Sequence, residues 1–153
     1  EHKLLYAMRG EVPEGDYTTP FGKAVVRRQG DAVTIVAWQE MLRRSLAAAD
    51  RLSKEGIEVE IVDPRTLNPF DRETIIESVK KTGACLVVEE AYRTLGVGAE
   101  IGAILAEHAL PYLDKPFKRL AIPDVPLPTS QQLVDAVVPS VDAIYKAVKD
   151  IVG

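Results

Sequence analysis

Apolar residues in this chain arrive in two alternating rhythms. Short runs of branched residues stand at 24–27 (AVVR), 33–38 (VTIVAW), 57–62, 84–88 (ACLVV) and 117–122, and each reads as a strand; the run 84–88 has the length and side chains of a strand buried on both faces. Between them apolar positions recur every three or four residues. Leu42, Leu46, Ala49 and Leu52 lead to Gly56; Ile75, Ile76 and Val79 follow Asp71 and end at Gly83; Val97, Ile101, Ile104, Leu105 and His108 follow the loop after 84–88; Ile144, Val148 and Ile151 or Val152 follow Ser140. Those are helices, with Asp71 and Ser140 as N-caps and Gly56 and Gly83 as left-handed stops. Lys80 and Lys81 stand at the negative end of their helix. Strands alternating with helices predict an α/β domain, three layers deep (α/β/α), on a mostly parallel sheet of about five strands.

The breaks in the rhythm carry further expectations. Gln29-Gly30-Asp31 between two strand runs predicts a hairpin, which supplies one antiparallel edge strand. The proline-rich stretch 64–70 cannot be helical, and 123–128 predicts an extended crossing. Thr129 with Gln132 reads as a capping box for one turn of helix. Residues 1–22 show no sustained period and carry Gly10, Pro13, Gly15, Pro20 and Gly22, so we expect a linker or arm from an upstream domain, followed by one domain over 23–153. Leu4, Leu5, Tyr6 and Met8 make it more apolar than a free tail, which favours packing on a neighbour. The chain opens on Glu1 in mid-sequence and reads as part of a longer polypeptide.

Composition narrows the class without naming a function. A chain of 153 residues, 46% apolar and 27% charged, is an ordinary globular domain. Its apolar runs are far shorter than the ~20 residues of a membrane span. The net charge of -4 weighs against nucleic acid as a partner. Cys85, the single cysteine, lies in an apolar run and reads as a packed core thiol rather than a nucleophile.

Candidate chemistry gathers where strands end: Trp38, Asp63, the pair Glu89 and Glu90, and Asp124. Such acids could hold a divalent cation or accept a phosphoryl group. Acids at loop starts also bond turns and helix termini, which explains them without a ligand. Gly96, Gly98 and Gly102 superficially resemble a dinucleotide loop, but the spacing is G-x-G-x-x-x-G and no acid closes the next strand where a ribose would need it. A tight turn accounts for the first two equally well. His2 and His108 are remote from one another in sequence, and His108 reads as an interfacial or half-buried ring rather than a base. Nothing assembles a nucleophile, a base and an oxyanion site. A free-standing α/β module binding a nucleotide or a metal therefore stays open as one reading.

Five stretches taken in order carry a resemblance: GEVPEGDYTTPFGKA, DAVTIVAWQEML, VDPRTLNPFDRETIIESVKKTG, VVEEAYRTLGVGAEIGA and PDVPLPTS. Their order and spacing resemble the carboxyl-terminal domain of the beta subunit of 2-oxoacid dehydrogenases, the thiamine-diphosphate-dependent decarboxylating component of the pyruvate and branched-chain complexes; transketolase-type enzymes share that domain more distantly. The resemblance implies a parent enzyme that oxidatively decarboxylates a 2-oxoacid and passes the acyl group to a lipoyl arm. It places thiamine diphosphate, magnesium and the catalytic histidine outside this chain, so no catalytic, cofactor or metal residue is carried over and the domain alone should lack turnover. It implies as partners an alpha subunit, a second beta subunit and the peripheral subunit-binding domain of the acyltransferase core, in the cytoplasm, or in the mitochondrial matrix of a eukaryote. Glu89, Glu90, Arg93, Gly96, Gly98 and Glu100 map to the strand-to-helix corner, expected at a subunit interface, and Asp114 in the Tyr-Leu-Asp stretch to the docking surface. The helix from Val97 to Leu110, with only Glu100 and Glu107 charged, suits a contact role on physical grounds too.

Overall fold

The computed structural model describes residues 2–153; Glu1, the first residue of the expected arm, lies outside them. Five strands, β1 (Val25–Arg28), β2 (Val33–Ala37), β3 (Val59–Asp63), β4 (Cys85–Tyr92) and β5 (Lys118–Ile122), form one sheet in the order β1-β3-β2-β4-β5. β2, β3, β4 and β5 are mutually parallel and β1 is antiparallel to β3. Five helices cover it: α1 (Gln39–Ser53), α2 (Arg72–Thr82), α3 (Val97–His108), α4 (Gln131–Val137) and α5 (Val141–Val152).

The pleat divides the core in two. Val33, Ile35 and Ala37 of β2 point with Ile61, Leu86 and Val88 toward Met41, Ala48, Ala49 and Leu52 of α1 and Ile144, Val148 and Ile151 of α5. Val36, Val62, Cys85 and Val87 point the other way, onto Ile75, Ile76 and Val79 of α2 and Ile101, Ile104 and Leu105 of α3. The expected three layers and the antiparallel edge strand are present. From β2 the chain crosses to β3 through α1 on one face; from β4 it crosses to β5 through α3 on the opposite face, as right-handed crossovers in opposite directions require. The sheet's topological switch point therefore lies between β2 and β4.

Four expectations need correction. The first two strands are not a hairpin: β3 lies between them. Gly30 is required for another reason, since the connection crosses the start of β3 so closely that a Cβ there would stand 2.3 Å from the Val59 carbonyl carbon. β4 does not stop at Val88 but continues to Tyr92, with a register shift against β5 after Val88. The turn before α4 is capped at Ser130, without a side-chain bond, and α4 runs for seven residues rather than one turn. In α1 the fully buried face is Met41, Ser45, Ala48, Ala49 and Leu52, while Leu42 and Leu46 lie at its half-buried border. The helix stops behave as read: Gly56 and Gly83 have φ of 77° and 67°, and Asp71 and Ser140 accept the N–H groups of Thr74 and Ala143.

Candidate functional site

The carboxyl ends of β2, β3, β4 and β5 form one rim, and most of the residues singled out above stand on it. Its centre is Glu89, which is fully buried. The register shift in β4 carries this side chain off the regular ladder and under the start of α3, where both carboxylate oxygens accept from the Gly98 N–H at 3.0 and 3.1 Å. A carboxylate at a helix N-terminus is favoured by the exposed N–H groups and the helix dipole. Burial nevertheless pushes the Glu89 carboxyl pKa up, against the Gly98 bond and the Arg119 charge that pull it down.

This carboxylate explains the two glycines. A Cβ on Gly98 would lie 2.5 Å from Glu89 Oε1, and one on Gly96 would lie 2.4 Å from the Tyr92 carbonyl and 3.0 Å from Glu89 Oε1. The G-x-G spacing is thus a housing for a glutamate of the same chain. The third glycine, Gly102, makes room for the Phe117 ring instead.

The other rim acids are engaged singly. Glu90 Oε2 meets His2 Nε2 at 2.7 Å, which brings the start of the arm to the rim. Asp63 accepts from Arg27 and from the Arg65 N–H. Asp124 takes two bonds from Thr94, which hold its carboxyl below the usual range. Arg93 N–H donates to the Ile122 carbonyl, and its own carbonyl accepts from Arg119. Glu100 projects from the first turn of α3 into solvent. Among the described residues no three His, Cys, Asp or Glu side chains come together in a way that could hold a metal ion.

The structure brings Glu89, Glu90, Arg93, Gly96, Gly98 and Glu100 to one corner. Asp114 stands elsewhere: it is exposed, its N–H donates to the Gly83 carbonyl, and it lies before β5, at the opposite rim. His108 is exposed at the end of α3 beside Glu107 rather than half-buried. Cys85 is enclosed by the core, and burial pushes its thiol pKa up.

Two buried acids escape sequence reading. Glu40, in the first turn of α1 across the switch point from Glu89, is 1% exposed and is gripped by Arg43 and Arg44 at 2.6 to 2.9 Å. The Arg43 bond, joined by Arg44, holds its carboxyl below the usual range despite burial. Glu60, at the other end of the sheet, is tied to Ser78 and Lys81. An acid followed by arginines three and four places on is the signal for the first; read in sequence, it suggests a solvent face.

Outside the corner, α3 turns Ala99, Ala103 and Ala106 outward, all exposed, at spacings that place them on one stripe. Among the described residues no helix is long and apolar enough to cross a membrane.

Comparison with known proteins adds family to geometry. A family model described as "Transketolase, C-terminal domain" matches residues 22–144. The beta subunit of acetoin:2,6-dichlorophenolindophenol oxidoreductase from Cupriavidus necator is 44% identical over 149 residues, 97% of this chain and 44% of that protein. The mitochondrial pyruvate dehydrogenase E1 component subunit beta-2 of Oryza sativa subsp. japonica is 42% identical over 153 residues, covering 97% and 41%. Among solved structures, a split gene transketolase described as an inactive beta4 tetramer superposes with a TM-score of 0.78 at 30% identity, over 94% of this chain and 45% of that one. The chain thus spans less than half the length of these relatives.

Proposed function

The chain belongs to the transketolase carboxyl-terminal domain family, and from that premise we propose that it is the assembly and docking domain of a beta subunit in a thiamine-diphosphate-dependent dehydrogenase. The parent would oxidatively decarboxylate a 2-oxoacid such as pyruvate or a branched-chain one and pass the acyl group to a lipoyl arm. The acetoin relative widens that substrate range, and since relatives of different substrate share this domain, substrate choice belongs to the rest of the parent. Residues 1–22 are the arm that joins it to an upstream domain. The exposed Leu4, Tyr6, Met8, Val12, Tyr17 and Phe21 support that reading, because apolar side chains at this density suit a covered surface. Its compartment is the parent's: the cytoplasm, or the matrix in a eukaryote.

The observation that carries the proposal is the outer stripe of α3. Ala99, Ala103 and Ala106 offer a flat apolar strip bordered by Glu100 and Glu107, which lets another backbone approach closely and does little for the domain itself. Thiamine diphosphate and magnesium do not fit the residues present. The Gly98 N–H is spent on Glu89 and the rim acids are engaged singly, so the domain contributes by placement: it holds the alpha subunit and the second beta subunit in register. The same engagement of the glycine loop counts against a free-standing nucleotide module. Asp114, on the far rim, is the docking point for the basic subunit-binding domain of the acyltransferase core, clear of the subunit corner.

One experiment tests both surfaces in the complete enzyme. Ala103→Glu should break the heterotetramer and its 2-oxoacid turnover while leaving the circular dichroism of the subunit intact. Asp114→Lys should keep the tetramer and weaken capture of the subunit-binding domain about tenfold, which is about 1.4 kcal/mol for reversing one exposed charge. An undisturbed tetramer with Ala103→Glu, or 2-oxoacid turnover by residues 1–153 alone, overturns the reading.

A further inference from the structure

The two edges of the sheet are finished differently. β1 is a poor template for a further strand: its register against β3 shifts between Val26 and Arg28, and its arginines are spent on carboxylates, Arg27 on Asp63 and Arg28 on Asp50 and Glu58. A shifted register and paired charges blunt an edge. β5, at the other edge, keeps a regular register with β4 from Lys118 to Leu120. At its end the Ile122 carbonyl accepts the Arg93 N–H and so faces β4. Backbone groups alternate in direction along a strand, so Arg119 and Ala121 turn theirs to the open side, where no described residue bonds them.

Along this edge runs a concavity of about 540 Å³. Ala99 of α3 and Ala147 of α5 stand on its two sides, with Phe117 and Leu120 between them. Phe117 packs in the layer of α2 and α3 and Leu120 in the layer of α1 and α5, so the hollow wraps the strand edge instead of lying on one face of the sheet. That is the space an additional strand takes. Its charge has one sign: Arg93, Lys118 and Arg119 line it, and no acid does. Among the described residues no carboxylate stands within ion-pair distance of any of the three.

Lysine on an edge strand ordinarily keeps other strands away. Here the sign of the charge selects among them. A second copy of β5 would set Lys118 and Arg119 against the same cations, which is destabilising, whereas carboxylates placed there meet three charges that lack a partner. We propose that β5 is a docking edge for an extended acidic segment of a partner protein, which adds to the sheet as a sixth strand. The main-chain groups of Arg119 and Ala121 supply the bonds, and the cations choose the sequence. Alternation in the added strand puts every second side chain on the α3 side, beside Arg119 and Arg93, and the others beside Leu120 and Ala147. Acids alternating with small apolar residues therefore fit both sides.

The test uses the full-length parent beta subunit and a capped, fluorescein-labelled peptide that alternates glutamate with valine, followed by fluorescence anisotropy. This peptide should bind at least about tenfold more tightly than the same peptide with lysine in place of glutamate. Lys118→Glu should weaken binding by a similar factor. Ala121→Pro removes an outward N–H at an edge, where proline is tolerated; it should abolish binding and leave the thermal midpoint of the subunit unchanged. Methylating every backbone nitrogen of the peptide asks the same question without touching the protein, and should also abolish binding. Equal binding of the acidic and lysine peptides overturns the proposal, as does binding of the methylated peptide or no binding by the wild type. If the alpha subunit displaces the peptide, or the peptide separates paired beta subunits in sedimentation, a subunit of the enzyme already covers this edge: the proposal then fails and the assembly reading stands.

Discussion

Two glutamates are buried on either side of the switch between β2 and β4, and the chain has solved their burial in opposite ways. Glu40 sits in the first turn of α1 with Arg43 and Arg44 from the same helix closed over it. Glu89 has no such escort: its direct partner is a backbone N–H, and its neighbours are glycines that leave it space. One carboxyl is pulled below its ordinary range by the arginine bonds, the other pushed above it by burial. The contrast shows that an acid at a strand end can be held by charge or by shape. Only the second makes the neighbouring residues irreplaceable by anything larger than glycine.

The largest effect should therefore come from filling that space. Gly98→Ala sets a methyl 2.5 Å from Glu89 Oε1 and 3.0 Å from Arg119 Cδ, and the carboxylate can move only by giving up its bond to the start of α3. We expect a loss of about 2–3 kcal/mol in chemical denaturation, near the upper range for overpacking a closed site. If the variant unfolds like the wild type, Glu89 is not shape-held and the contrast collapses.

The legibility of the fold follows the same division between local and distant causes. α2 could be read residue by residue, because Asp71, the Ile75-Ile76-Val79 face and Gly83 all act within one helix. The pairing of β1 could not. Its neighbour is β3, whose paired residues lie 33 to 38 positions on in sequence, and nothing in two apolar runs of similar length says which will meet. In the sequence Gly30 reads as a turn residue, whereas its real constraint is the backbone of a strand that arrives later. At the site the same holds. The order of residues 89–100 marks a strand-to-helix corner, but the reason for Gly96 and Gly98 appears only when β4 shifts register and delivers Glu89 beneath α3. Glu40 is not legible in the sequence, because a charged triplet on a helix normally marks the solvent side, and here the helix N-terminus is folded into the rim.

Glu40→Gln comes next in size. The substitution leaves Arg44, itself mostly covered, with the Pro139 carbonyl as its remaining partner, while Arg43 can turn to water. A loss of about 1–2 kcal/mol at neutral pH fits one charge-assisted site with a partial outlet. Its pH dependence has a fixed sign. A carboxyl whose pKa is lowered by folding stabilises above its unfolded value, and that contribution disappears as pH falls through the folded one. The gap between wild type and Glu40→Gln should thus close on acidification, and a gap that widens instead would contradict the arginine grip.

Glu89→Gln should show the smallest change and the opposite slope. Here folding raises the pKa, so the glutamate's contribution is complete below the unfolded value and is lost as pH rises through the folded one. An amide of nearly the same shape keeps an oxygen for the Gly98 N–H and carries no charge to desolvate. At neutral pH the variant should lie within about 1 kcal/mol of wild type, on the stabilising side. On acidification that advantage should vanish, because the wild-type side chain is then neutral too. Comparing denaturation midpoints of both glutamine variants across about pH 4 to pH 7 decides the matter: if the two difference curves slope the same way, the buried acids are held alike, and the glycine housing has no electrostatic counterpart.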